Sequence, residues 1–144
     1  MSSNGKDVGQ YIVNYFIQKD NPVTNLKLQK LLYYAWIDYF RKKREYLFLE
    51  SFQAWVLGPV LPTSYYDFCA YGADEIFRFK VVNLEGIDLN VLNASLERYG
   101  KFSAYELADM THHSGGAWEK VFDGGRGRGK TIDFELMKRL ECRV

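Results

Sequence analysis

The sequence has few cysteines, few prolines and almost no net charge. It contains two cysteines, three prolines, and 19 lysines and arginines against 18 acidic residues. Two cysteines with no Cys-x-x-Cys pair exclude a disulfide scaffold and favour a reduced, cytoplasmic protein. A net charge of +1 gives no overall attraction to nucleic acid or to an anionic membrane.

Long hydrophobic runs and an export signal are also missing. The longest apolar run, at 31–37, is much shorter than the roughly 20 residues that cross a bilayer. The first ten residues lack the apolar stretch of a secretory signal. We therefore expect no membrane span and a cytoplasmic location.

Aromatic residues, in contrast, are abundant. They make up 17% of the chain, and thirteen of them lie between positions 33 and 71. Tyrosines in this region are too many to share one buried stripe: Tyr33, Tyr34, Tyr65, Tyr66 and Tyr71. Two interpretations remain open, because such tyrosines either form an exposed surface for protein–protein contact or line the core with their hydroxyls in water.

Hydrophobic periodicity predicts a mainly α-helical fold. Apolar residues spaced as on one helix face predict a helix over 7–19, and Thr24 is a suitable N-cap for the next helix. That second helix is apolar most of the way round, which is typical of a central helix. Further helices are predicted over five segments: 63–71, 89–100, 103–110, 118–122 and 132–141.

Two segments predict a small amount of β-structure. Residues 46–59 are rich in aromatic and branched side chains and suit a short hairpin. In 76–82 the apolar Phe77, Phe79 and Val81 alternate with basic residues, which predicts a strand. The fold class is therefore mainly α, or α+β with a small hairpin or sheet, in one compact domain over residues 1–144.

Residues 124–131, GGRGRGKT, match the phosphate-binding P-loop pattern. A working P-loop joins a buried strand to a helix, and its backbone amides surround the phosphates. Here the preceding residues have a helical pattern, and no later apolar strand supplies an acidic residue for Mg²⁺. We therefore expect a mobile, solvated connector with Thr131 as a helix cap, and no bound nucleotide.

Other catalytic and metal-binding patterns are weak. His112 and His113 point about 100° apart on a helix and lack further ligands nearby, so no metal site is predicted. Cys69 lies between Phe68 and Ala70 and is expected to be a half-buried, inert thiol. We expect no enzymatic activity and no cofactor.

Two basic segments, 41–44 and 126–130, allow an alternative function. They would let the protein act as a nucleic-acid-binding accessory protein despite its low net charge. Segment 41–44 also suits the C-terminus of the central helix, where cations meet the negative end of the helix dipole. A solvated helix end therefore explains the same residues.

Three blocks along the chain resemble the Panacea domain, an antitoxin family that includes SocA-like and phage-associated GepA-like proteins. The blocks are TNLKLQKLLYYA (24–35), FQAWVLGPVLPTSYYDFCAYG (52–72) and LADMTHHSGGAW (107–118). The resemblance implies a helical domain common on prophages and mobile elements, which neutralises a co-encoded toxin by direct binding. SocA-like members further imply an adaptor that delivers the toxin to a ClpXP-type protease.

The resemblance also implies a set of partner-binding residues. They are Gln29, Tyr33, Tyr34, Trp55, Gly58, Pro59, Pro62, Tyr65, Thr111, His112 and Trp118. The same positions suit a purely structural role, since a rigid turn at 58–59 would place Trp55 beside the following helix. Two residues depart from the family pattern: Trp36 replaces a polar residue, which predicts added surface hydrophobicity, and Ala117 replaces a proline.

Overall fold

A computed structural model describes residues 4–143 of the chain. In this range the helices are α1 (Gly5–Gln18), α2 (Asn25–Lys43), α3 (Pro62–Asp67), α4 (Leu89–Gly100), α5 (Ala104–Thr111), α6 (Ala117–Phe122) and α7 (Phe134–Glu141). The strands are β1 (Phe52–Trp55), β2 (Gly58–Val60) and β3 (Thr131–Ile132). The predicted fold class, mainly helical with a small sheet, is confirmed. No helix in this range has both the length and the apolar character to cross a membrane.

Helix α2 is the centre of the fold. Its N-terminus is capped by Thr24, whose side chain accepts a hydrogen bond from the Lys27 amide, and its C-cap, Arg44, has a left-handed conformation. It packs against α1, α3, α4, α5, α7 and β2. The prediction of a central helix covered on several sides is confirmed, and the apolar residues all round α2 are the physical reason.

An aromatic cluster closes one side of this core. The Trp36 side chain is 0% exposed and stacks on Phe40 and Phe134, with ring centroids 5.7 and 4.5 Å away. The Tyr46 ring covers the same indole at 5.4 Å. The prediction that Trp36 adds surface hydrophobicity is therefore wrong, because the following loop and α7 fold over it.

The three strands form an antiparallel sheet in the order β2-β1-β3. The predicted hairpin over 46–59 is confirmed, but it spans 52–60, with Val56 and Leu57 in its turn. Thr131 pairs with Gln53 in the sheet, so its predicted role as a helix cap is wrong. Asp133 caps the last helix instead, because its side chain accepts from the Glu135 amide.

Residues 76–82 do not form a sheet strand, and that prediction is wrong. The segment follows an isolated bridge between Thr24 and Glu75 and then runs along α1. Its inner backbone groups bond to side chains of α1, Gln10 and Asn14, rather than to another strand. The alternation of apolar residues correctly marks an extended segment, but a helix occupies the place of the expected neighbouring strand.

The glycine-rich loop is largely exposed, as predicted, and its backbone bonds to neighbouring elements. The Gly127 amide donates to the Phe122 carbonyl at 2.9 Å, and the Gly129 amide donates to the Ala54 carbonyl at 2.7 Å. A Cβ added to Gly127 would lie 1.7 Å from the Val121 carbonyl oxygen. The residues before the loop are helical, as predicted. Glycine is therefore needed here for close backbone packing.

The thiol of Cys69 is exposed, which contradicts the predicted half-buried position. Helix α3 ends at Asp67, and Cys69 begins a short 3-10 turn that continues to Tyr71. The buried residue at this point is Phe68, whose side chain is 0% exposed. The early end of α3 is thus what turns the cysteine outward.

Candidate functional site

An apolar groove of about 750 Å³ lies between the first turns of α2, the β1–β2 hairpin and the glycine-rich loop. Its apolar walls include Leu26, Trp55, Leu57, Val60, Tyr65 and Tyr105. Among the described residues that line it, only Lys30 and Arg128 carry a charge, and both are cations. Sites that bind other molecules typically combine apolar walls with a few polar groups in this way.

Exposed and partly exposed apolar side chains surround the groove. We call six of them the rim cluster: Trp55, Val56, Leu57, Tyr65, Tyr66 and Tyr105. Val56 is 53% exposed, Leu57 47% and Tyr105 69%. The rings of Trp55 and Tyr65 meet edge to face with centroids 4.9 Å apart. Contiguous exposed apolar surface of this kind marks contact sites for other molecules.

A chain of buried amides fixes one wall of the groove. The Gln29 side chain, 1% exposed, accepts from the Leu61 amide at 2.9 Å and donates to the Asn25 side chain at 2.9 Å. The Asn25 side-chain amide in turn donates to the Tyr65 carbonyl at 3.1 Å. Because these bonds join α2 to α3, they fix the position of the Tyr65 ring at the rim.

Lys30 is a buried cation at the groove. Its side chain is 0% exposed, and its Nζ donates to the Pro59 carbonyl at 2.7 Å. Within residues 4–143 it forms no ion pair. Burial without a compensating charge lowers the pKa of Lys30 to about 7.

Gly58 is required where the hairpin meets Lys30. Its φ is +119°, a conformation that side chains with a Cβ rarely adopt. A Cβ at this position would lie 2.7 Å from Thr111 Oγ1 and 2.8 Å from Lys30 Cε. The glycine thus lets the second strand approach both α2 and α5.

A stack of rings supports the hairpin from behind. The His112 and Trp118 rings stack with centroids 3.8 Å apart, and Phe122 continues the stack at 4.5 Å from Trp118. The Trp118 indole N–H donates to the Trp55 carbonyl at 2.8 Å. Burial lowers the pKa of His112, and the nearby Lys30 ammonium lowers it further. The stack therefore holds a neutral imidazole against the indole.

Substituting Trp118 by phenylalanine tests this support. The ring stack remains, but the Trp55 carbonyl loses its indole donor, so we expect a loss of about 1 kcal/mol in the free energy of unfolding. Urea denaturation followed by circular dichroism measures it. A Phe122→Leu variant keeps the indole hydrogen bond and serves as the comparison. Unchanged stability of Trp118→Phe would show that this hydrogen bond does not hold the hairpin.

The structure separates the predicted site residues by burial. Four are partly exposed: Trp55, Pro62, Tyr65 and His112. Seven are buried: Gln29, Tyr33, Tyr34, Gly58, Pro59, Thr111 and Trp118. Gln29, Trp55 and Tyr65 line the groove, whereas Tyr33 and Tyr34 pack elsewhere, against Phe52 and Tyr99.

Two groove residues, Val56 and Leu57, were not singled out by the sequence analysis. Lys30 is one of the positions that the family resemblance marks, and a basic residue within the apolar repeat of α2 is a usable signal. Val56 and Leu57 are apolar residues next to Gly58 in a hairpin turn, where polar residues are the rule. Their exposure is the unusual feature. Within residues 4–143, no group of three or more potential metal ligands exists.

The sequence of this domain matches a known class of protein. The family described as Antitoxin SocA-like, Panacea domain, matches residues 28–119, and the chain belongs to this family. Among individual proteins, Antitoxin SocA of Caulobacter vibrioides (strain NA1000 / CB15N) is 31% identical over 136 residues, which cover 85% of this chain and 72% of that protein. No solved structure matches the chain significantly. The predicted family resemblance is confirmed.

Proposed function

We propose that this protein is an antitoxin that neutralises a co-encoded toxin by direct binding at the groove and its rim cluster. The observation that carries the proposal is the groove itself, whose walls are apolar and whose charged lining residues within 4–143 are two cations. Acid–base catalysis needs a positioned proton donor and acceptor close to a substrate. We propose that the protein acts by covering a toxin surface and has no catalytic step.

The rim cluster has the composition of a protein contact site. Tryptophan and tyrosine are enriched at such interfaces because a large rigid ring loses little entropy on binding. Trp55 and Tyr65 are already oriented by each other and by the bonds beneath them. A preformed surface of this kind binds with a smaller entropic cost than a flexible one.

The predicted partner-binding residues therefore receive three different roles in the proposal. Trp55 and Tyr65 contact the toxin together with Val56 and Leu57, and Pro62 lies beside them at the start of α3. Residues behind the rim hold this surface in shape: Gln29, Gly58, Pro59, Thr111, His112 and Trp118. Tyr33 and Tyr34 belong to the core.

Replacing Leu57 by aspartate tests the contact surface. We expect at least about a tenfold loss of affinity for the toxin encoded by the adjacent gene, because a carboxylate must then be desolvated at an apolar contact. Calorimetric titration of the purified proteins measures it. Growth of cells that co-express the two genes gives the matching biological result.

The matched control is Leu49→Asp. Leu49 is 69% exposed in the loop before β1 and does not line the groove. The same chemical change there is expected to leave both affinity and growth at wild-type levels. Equal losses from both variants, or none from Leu57→Asp, would contradict binding at the groove.

Delivery to a ClpXP-type protease is a second step that we propose on the strength of the family resemblance. In this form of the mechanism the protein binds the toxin at the rim cluster and carries it to the protease. A degradation assay with purified protease, toxin and this protein tests the step. Toxin that persists in the complete mixture would show that binding alone neutralises it.

The nucleic-acid alternative has weaker support. In the first basic segment Lys43 pairs with Asp88 at 3.3 Å, and in the second Arg126 pairs with Asp123 at 3.4 Å. Carboxylates among the cations reduce the attraction to phosphate. A gel shift that weakens steeply with salt would favour this alternative, because phosphate contacts release counterions.

A further inference from the structure

The extended segment along α1 is fixed to the helix on one side only. The Gln10 side chain donates to the Arg78 carbonyl at 2.8 Å, and the Asn14 side chain donates to the Lys80 carbonyl at 2.7 Å. Asn14 Oδ1 also accepts from the Lys80 amide at 3.2 Å. Both helix residues are buried, at 3% and 8% exposure, and they bond to each other.

Helix and strand dimensions explain why two residues of α1 can bond to two residues of the extended segment. Residues four apart on an α-helix are separated by about 6 Å along its axis. Residues two apart on a strand are separated by about 6.6 Å. Gln10 and Asn14 therefore meet alternate residues of an extended chain, and the two amide side chains take the place of a neighbouring strand.

The opposite side of the segment is unpaired. Phe77, Phe79 and Val81 form no backbone hydrogen bond with any residue in the described range. Backbone groups of successive residues in an extended chain point to opposite sides, so these three face away from the α1 amides. Their side chains are also open to solvent, with 64%, 47% and 83% exposure.

We propose that residues 77–81 are a docking edge that accepts an extended strand of a partner polypeptide by β-strand addition. The incoming backbone pairs with the free N–H and C=O groups of Phe77, Phe79 and Val81. Apolar side chains of the partner strand pack on these three residues, and a carboxylate meets Lys80. Exposed strand edges bind peptides in this manner because the backbone bonds need no particular sequence.

Charge identifies the occupant as an acidic strand rather than a second copy of this chain. Antiparallel pairing of two copies about Phe79 would place Arg78 opposite Lys80, and like charges directly opposite are destabilising. Arg78 already pairs with Asp67 at 2.6 Å, whereas Lys80 has no ion pair within residues 4–143. A carboxylate of the partner strand would form an ion pair with Lys80.

A short synthetic peptide that alternates valine with glutamate is the probe. We expect it to bind the purified protein with a dissociation constant below about 1 mM, and to shift the amide resonances of residues 77–81 in an NMR titration. The matched control has the same side chains but N-methylated amides at alternate positions. Its affinity is expected to be at least about tenfold lower, because it cannot complete the backbone bonds.

A variant of the protein tests the same bonds from the other side. Phe79→Pro removes one free N–H and leaves the inner bonds of Arg78 and Lys80 in place, so peptide affinity is expected to fall about tenfold. Phe79→Thr keeps that N–H and is expected to lose less. If the proline variant does not fold, the N-methylated peptide still decides.

Three results would overturn the proposal. They are no peptide binding at about 1 mM, equal binding of the N-methylated peptide, and a dimer in analytical ultracentrifugation that Phe79→Pro abolishes. The dimer would make a second copy the occupant. The peptide assay is independent of the toxin, and Leu57→Asp is expected to leave it unchanged, so the groove and the edge can fail separately.

Discussion

Replacing Lys30 by methionine is expected to stabilise the protein by about 2 kcal/mol near pH 6. In the folded chain the ammonium is 0% exposed and has one hydrogen-bond acceptor, the Pro59 carbonyl. Methionine has a similar length and does not pay for burying a charge. The Pro59 carbonyl loses its donor, which offsets part of the gain.

The pH dependence of this effect follows from the lowered pKa of Lys30. Folding moves the pKa from 10.5 to about 7, so between these values the unfolded chain binds more protons than the folded one. The wild-type free energy of unfolding therefore rises with pH across this window, by up to about 1.4 kcal/mol per pH unit. The advantage of Lys30→Met is full below about pH 7 and is lost as the pH rises toward 10.5.

Urea denaturation of both proteins at pH 6, 7.5 and 9 measures this difference. Lys42→Met is the control, because Lys42 is an exposed lysine on the same helix, and its stability difference from wild type is expected to stay near zero at each pH. A Lys30→Met protein that is less stable than wild type at every pH would show that the bond to Pro59 outweighs the cost of burial.

Replacing Tyr34 by alanine is expected to destabilise the protein by about 3 kcal/mol. The ring is 9% exposed, stacks on Tyr99 with centroids 4.5 Å apart, and meets Tyr33 edge to face at 5.7 Å. Its removal leaves a cavity between α2 and α4. Any loss of toxin binding would then follow from unfolding, and folded molecules would bind as the wild type does.

Tyr34→Phe is the matched control. It keeps both ring contacts and removes a hydroxyl group, and burial raises the pKa of that hydroxyl, so it stays neutral. We expect near-wild-type stability and affinity. Thermal unfolding and calorimetric titration of the two variants separate fold from contact. A Tyr34→Ala protein with wild-type stability and weak toxin binding would show that Tyr34 is part of the contact surface.

The helices were predictable because their signals are local. The apolar period of α2 and its N-cap Thr24 need only neighbouring residues, and both are found in the structure. The alternation at 76–82 is equally local, yet it indicates only an extended chain. The element that lies alongside this segment is determined by Gln10 and Asn14, which are far away in sequence.

The groove was predictable only in part for the same reason. The family resemblance selected Trp55 and Tyr65, which do lie together, and it also selected Tyr33 and Tyr34, which do not reach the groove. The position of Lys30 beneath the hairpin requires α2 and β2 to meet across a long stretch of chain. Side-chain exposure at the hairpin turn likewise depends on this tertiary contact.

The bonds that support the hairpin do not involve the side chains of the two exposed residues of its turn. The Gln29 side chain accepts a hydrogen bond from the Leu61 amide just beyond the hairpin. The Trp118 indole donates to the Trp55 carbonyl, and the Gly129 amide donates to the Ala54 carbonyl. The two residues at the tip contribute to none of these bonds. If the toxin binds at the groove as proposed, Val56 and Leu57 can be exchanged for other side chains while the scaffold below stays the same, so that recognition of a new toxin requires few mutations.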